Sequence, residues 1–205
     1  MARKTYEGYE YLDSENQYTY PNSSVLINKL GITDPIKAQR NEHLLVTKRL
    51  SDLRIKPIEI HSIKDVLAVH HYLFQDLYSW AGQYRTVNIS KSGNAFMPIQ
   101  SFGASEIFLN KLIENFHQSA HSRSEVIQQL AEILDNLNYY HPFREGNGRT
   151  QREVIRSLAL SKGYRAQIRV EADDDIYHLY MDGTVQGDLE ILKQLFDKIL
   201  ETKVL

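Results

Sequence analysis

Apolar residues recur at steps of three and four along most of this chain, and at steps of two along very little of it. Asp34-Pro35 is a strong helix start, a capping carboxylate followed by proline at the first helical position, and predicts a helix to about Leu53. Ser62 opens a second, in which Ile63, Val66, Leu67, His70, Leu73, Phe74 and Leu77 repeat with helical spacing until Trp80-Ala81-Gly82 stops it. A third covers about 105–121, with Ile107, Phe108, Leu112, Ile113 and Phe116 on one face. Ser122-x-x-Glu125 is a capping box, and the helix behind it turns Val126, Ile127, Leu130, Ile133, Leu134 and Leu137 inward and ends at His141. Residues 149–162 form the next, with Val154, Ile155, Leu158 and Ala159 buried and Gly163 as terminator. Two last helices, 173–181 and 188–200, flank an Asp182-Gly183 turn.

One stretch departs from this period. Residues 84–91 alternate, Ser92-Gly93-Asn94 is turn chemistry, and Ala95-Phe96-Met97 returns before Pro98 ends it, which predicts a short exposed hairpin. Residues 1–24 carry neither period and read as an irregular arm whose tyrosines (Tyr6, Tyr9, Tyr11, Tyr18, Tyr20) pack onto a surface. The expected fold is all-α with one hairpin, divided into an arm over 1–34, a helical domain over 35–200 and a tail over 201–205.

Composition narrows the class. A length of 205 residues suits one domain with its own core, and 42% hydrophobic with 24% charged residues is ordinary for a globular protein. A net charge of −2 and a pI near 6.4 give no support to nucleic-acid or acidic-membrane partners, so neither is expected. The absence of cysteine excludes disulfides, thiolate catalysis and cysteine-ligated metals. Met-Ala-Arg-Lys-Thr-Tyr-Glu-Gly lacks the apolar run of a signal peptide, and no stretch approaches the roughly 18 apolar residues that span a bilayer, so the expected setting is a cytoplasm.

The chemistry concentrates in residues 141–152, His-Pro-Phe-Arg-Glu-Gly-Asn-Gly-Arg-Thr-Gln-Arg. Taken alone, His141 reads as a satisfied histidine at a helix end, as do His43, His61, His70, His71, His117, His121 and His178. His117 and His121 have a zinc-compatible spacing but no third ligand. The residues after His141 set it apart. Gly146 and Gly148 allow backbone conformations closed to other residues and close approach by a ligand, and Asn147 tolerates positive φ and offers a donor. Successive N–H groups ahead of a helix form a cradle for anions. Glu145 beside that cradle makes sense if Mg²⁺ lies between it and a phosphate. Arg149 and Arg152, three apart, share a face and can hold further phosphate oxygens. The plain alternative is a helix–turn–helix corner, which leaves two arginines at a helix N-terminus where the dipole disfavours cations. No GxxxxGK[ST] sequence occurs. A histidine base beside a magnesium polyphosphate cradle implies transfer from a nucleotide to a nucleophile that must lose a proton.

These twelve residues match HPFx[DE]GNGRxxR, the signature of Fic proteins, at every specified position, and the chain resembles that family. Trp80-Ala81-Gly82-Gln-Tyr-Arg85 with Val87-Asn-Ile-Ser-Lys91 resembles the segment leading into the family's flap hairpin. Tyr20-Pro-Asn-Ser-Ser-Val-Leu26 and Asn28-Lys-Leu-Gly31-Ile resemble the arm of Fic toxins and type-IV-secreted effectors. The resemblance covers roughly 15–200 and implies a helical Fic domain that transfers AMP from ATP to a Tyr, Ser or Thr hydroxyl of a target protein. It implies His141 as base, Glu145 as Mg²⁺ ligand, the amides of Gly146, Asn147 and Gly148 as the anion hole, Arg149 on the phosphate chain and Arg152 on the γ-phosphate. It implies further that Lys91, Ser92, Gly93, Asn94, Ala95, Phe96 and Met97 form a flap that docks the target by strand addition. Tyr177 and Tyr180 are either adenine-pocket residues or helix-core aromatics.

The family's internal inhibitory pattern, [ST]xxxE[GN], is missing. Glu7, Glu15, Glu114 and Glu145 precede Gly or Asn, but Arg3, Tyr11, Asn110 and His141 stand four places earlier. The resemblance therefore implies a separate small antitoxin-like inhibitor. It implies as target either a bacterial housekeeping protein or a host protein such as a small GTPase, reached from a bacterial cytoplasm or after type IV secretion. The alternatives are a Doc-like kinase, a phosphocholine transferase, or a nucleotide-binding interaction module without catalysis.

Overall fold

Asp34 caps the first helix as its sequence predicts: its Oδ1 accepts the Lys37 N–H at 2.8 Å, and α1 runs Pro35–Ile55. In the computed structural model the described residues are 9–11 (backbone alone), 17–91, 94–170 and 174–202. α2, Ile63–Phe74, opens on Asp65, whose Oδ2 accepts the Ser62 N–H at 2.9 Å and the Ser62 hydroxyl at 3.1 Å. It ends at Phe74, well before Trp80. The amides of Leu77 and Tyr78 both turn back to the Phe74 carbonyl, and Gly82 (φ 78°) folds the chain onto α2 so closely that a Cβ would lie 2.7 Å from that of His71.

The hairpin pairs β2, Ile89–Lys91, with β3, Asn94–Ala95, and β2 also pairs antiparallel with β1, Tyr9–Tyr11. Part of the arm thus extends the hairpin into three strands. Pairing starts only at Ile89 because the residues before it bond to the core: Arg85 N–H to Pro142 O at 2.8 Å, and Asn88 Oδ1 to the Ile99 N–H at 3.1 Å.

A turn of 3₁₀ helix, Ile99–Ser101, leads into α3, Phe102–Ser119, which begins three residues earlier than expected. Its buried face is Phe102, Leu109, Ile113 and Phe116; Ile107 and Phe108, expected inward, are exposed. α4, Arg123–Tyr140, has the Ser122/Glu125 capping box and packs against α3, against α5 (Asn147–Ser161) and against α7 (Leu189–Ile199). A short pair, β4 (Tyr164–Arg165) with β5 (Glu201–Thr202), was not expected in the tail. α6 runs Asp175–Gln186 and contains Asp182-Gly183, where a turn was expected; the turn falls at Gly187 (φ 65°). Gly183 is glycine for closeness instead: a Cβ there would lie 2.6 Å from Leu192 Cδ2 on α7.

Tyr140, Phe143, Phe74, Phe116 and Phe196 fill one core. The end of α4 and the start of α5 meet against it, and His141 and Phe143 of the connection between them, with Asn147 just after it, are themselves buried.

Candidate active site

His141 ends α4 in the left-handed region, φ 42°, which a non-glycine residue adopts only under local constraint. Its Nδ1 lies 2.9 Å from the Asn138 carbonyl. A carbonyl only accepts, so Nδ1 carries the proton and Nε2 is the basic nitrogen. Burial lowers the ring's pKa to about 3, with Arg85 and Lys91 adding to the shift, so the imidazole is neutral. The Phe96 ring of the flap stacks on it, centroids 3.7 Å apart.

Two supports went unread in the sequence. Arg85 is 2% exposed and donates to three carbonyls, His141 at 2.9 Å, Val87 at 2.6 Å and Met97 at 2.5 Å. Burial lowers its pKa to about 10, leaving it a cation. His70, expected to be merely satisfied, stacks on Phe143 at 3.7 Å. Its Nδ1 accepts the Gly82 N–H at 2.8 Å, so Nε2–H donates to the Glu145 carbonyl at 3.0 Å. Periodicity marked His70 only as an inward helix position; contact with the loop 75 residues away has no local signal.

Of the two loop glycines Gly146 alone has positive φ, 82°, and a Cβ on it would lie 2.4 Å from Phe74 Cζ. Gly148 is helical, and a Cβ there would crowd Arg152 Nη1 at 3.2 Å. Asn147 differs from expectation. Its side chain is buried and bridges Phe143, accepting its N–H at 2.9 Å and donating to its carbonyl at 2.7 Å, so it braces the turn from inside. The amides of Asn147, Gly148 and Arg149 precede the first bond of α5, Thr150 N–H to Gly146 O at 3.0 Å. They supply the unsatisfied donors of a helix start.

The charged groups divide. Glu145 Oε1 accepts the Gly146 N–H at 2.8 Å and lies 3.6 Å from Arg149 Nη2. Arg149 Nη1 is 2.5 Å from Glu42 Oε1 on α1, and its guanidinium lies over the Phe74 ring at 4.8 Å. Tyr78 OH donates to the other oxygen of Glu42. Arg152 reaches Tyr180 OH at 3.4 Å.

A cavity of about 640 Å³ brings together Lys91, Asn94, Ala95 and Phe96 of the flap with His141, Gly148, Arg152 and Tyr180. Tyr177 lies outside its lining, Met97 binds the Tyr139 carbonyl through its N–H at 3.0 Å, and Ser92 and Gly93 fall outside the described residues. Arg152 also faces a second cavity of about 600 Å³ with Arg54, Arg149, Arg156, Arg165 and Arg169. His117 bonds the Ile60 carbonyl at 2.7 Å, and no group of three metal-ligating side chains occurs among the described residues. Among those residues no helix is long and apolar enough to cross a membrane.

A model of the Fic/DOC family matches residues 60–159. The protein adenylyltransferase VbhT of Bartonella schoenbuchensis is 34% identical over 159 residues, which span 76% of this chain and 33% of VbhT. The probable protein adenylyltransferase y4lH of Sinorhizobium fredii is 30% identical over 152 residues, 73% of this chain and 78% of that one. The crystal structure of the N-terminal Fic domain of a VirB-translocated Bep effector from Bartonella quintana, with bound ADP, superposes with a TM-score of 0.79. It is 25% identical and covers 91% of this chain and 95% of that one.

Proposed function

This chain belongs to the Fic/DOC family of protein adenylyltransferases, and from that premise we propose how its residues transfer AMP from ATP to a hydroxyl of a target protein. The acceptor O–H gives its proton to His141 Nε2 as its oxygen bonds to the α-phosphorus; the bond from that phosphorus to the β-phosphate bridging oxygen breaks, and pyrophosphate leaves. The observation that carries this reading is the Nδ1–Asn138 bond. It sets the tautomer of a neutral imidazole lining the same cavity as Gly148 and Arg152.

The amides of Asn147 and Gly148 face the phosphates, joined by that of Gly146 once it leaves Glu145 Oε1, and Arg149 and Arg152 hold the chain beyond them. Glu145 fits a magnesium ion: it is a carboxylate beside a phosphate cradle, and Mg²⁺ commonly takes one or two carboxylates with phosphate oxygens and water. Bound there, the ion would neutralise charge on the phosphates. The target docks as a strand along the exposed β3, presenting a Tyr, Ser or Thr side chain toward His141. The inhibitor is a separate protein whose carboxylate competes for Arg152.

Purified protein given α-labelled ATP and Mg²⁺ is expected to label itself or a target, with the label lost in His141→Ala. Label that appears only from γ-labelled ATP would make the protein a kinase and overturn the reading.

A further inference from the structure

Gln151 sits on α5 three residues after Gly148 and next to Arg152, lines the nucleotide-sized cavity, and is 3% exposed. Its Nε2 donates to the Leu137 carbonyl at 3.0 Å. That partner can only accept, so it fixes which end of the amide is nitrogen. The other end, Oε1, is buried and has no hydrogen-bond donor among the described residues. A shielded acceptor without a donor is an expensive feature of an interior, and where one persists beside a cavity a ligand donor is a physical reason for it.

We propose that Gln151 is a nucleotide-binding residue whose side-chain oxygen accepts a hydrogen bond from a ribose hydroxyl of ATP. The proposal rests on the AMP-transfer reading and adds a contact to it. Phosphates at neutral pH have no donor to offer. The donors of ATP are its two ribose hydroxyls and the amino group of its base.

Position selects the sugar. The α-phosphate must lie within reach of both His141 and the first amides of α5. Gln151 projects from the Gly148 face one turn along α5, and it is tied to Leu137, one turn before His141 on α4. One sugar separates the α-phosphate from the base. The base lies beyond it, toward the end of the cavity where Asp135 and Gly187 come together, the Asp135 Oδ1 being 3.6 Å from where a Gly187 Cβ would stand. The bond would therefore hold the sugar, and through it the α-phosphorus, while leaving the phosphate contacts to the arginines.

The test compares binding of ATP, 2′-deoxy-ATP, 3′-deoxy-ATP and N6-methyl-ATP to wild type and to Gln151→Met, which keeps the side-chain length without the acceptor. Wild type should lose about tenfold in affinity for one deoxy analogue, and the variant should lose a similar factor for ATP while no longer distinguishing that analogue. If wild type binds ATP and both deoxy analogues within twofold, the inference falls, whether or not the variant folds. Discrimination against N6-methyl-ATP alone would place the bond on the base and also overturn it. In either case AMP transfer from ATP would continue, so the catalytic reading would survive; no binding of any nucleotide would sink both.

Discussion

Two buried imidazoles, His70 and His141, are each lowered by burial from an ordinary 6.5 to about 3. The folded chain keeps both neutral, whereas the unfolded chain protonates them below about 6.5. The stability they confer is therefore complete above that pH and drains away as pH falls toward 3. Between pH 7 and pH 5, without nucleotide or metal, the unfolding free energy should drop by on the order of 2–4 kcal/mol. Urea midpoints at pH 7, 6 and 5 measure this, and a midpoint that holds steady would show the rings to be charged in the native state. The Glu42–Arg149 pair gives a second expectation. Both side chains are about a quarter exposed or less, 19% and 26%, so the pairing is worth about 1 kcal/mol. On the role proposed for it Arg149 would loosen this pair to hold phosphate, so Glu42→Gln should tighten ATP binding about fivefold by equilibrium titration. Weaker binding would instead make Glu42 the group that orients Arg149. Among single residues, His141 and the arginines stand out in the sequence because their neighbours are chemically unusual. Arg85 and His70 do not, since burial and a distant carbonyl define their roles, and Asn147 stands out as a donor to the ligand rather than as the brace on Phe143 that it forms.

At the level of elements, starts were more legible than ends. Asp34-Pro35 and Ser122-x-x-Glu125 carry their caps in adjacent residues, and both helices begin there. The end of α2, the inward face of α3 and the course of α6 depend on contacts with other elements, which no local period encodes. Gly183 shows the difference. Read as turn chemistry, it is a contact point between α6 and α7, with Leu192 filling the space of its missing side chain. Gly183→Ala should thus destabilise by about 1–3 kcal/mol through crowding, only partly offset by better helix propensity. In a Leu192→Ala background the same change should be close to neutral, as thermal melts of the four proteins in the cycle will reveal. Equal losses in both backgrounds would place the effect in the backbone of α6. The strand β1 was illegible for a similar reason: Tyr9–Tyr11 has no period of its own and is ordered by β2.

Across the whole molecule, the helical class was readable because the three-and-four spacing runs through almost every segment, while the way distant segments converge on one catalytic loop was not. Arg85 is where they converge. A single guanidinium holds the carbonyl of His141 together with carbonyls before β2 and after β3, and Phe96 from the same flap covers the imidazole. Displacing the flap therefore tugs on the loop that carries the base. A polypeptide lying down along β3 can exert that pull. On the proposed docking a water molecule brings no backbone and exerts none, which would spare a seated nucleotide idle hydrolysis until a target arrives.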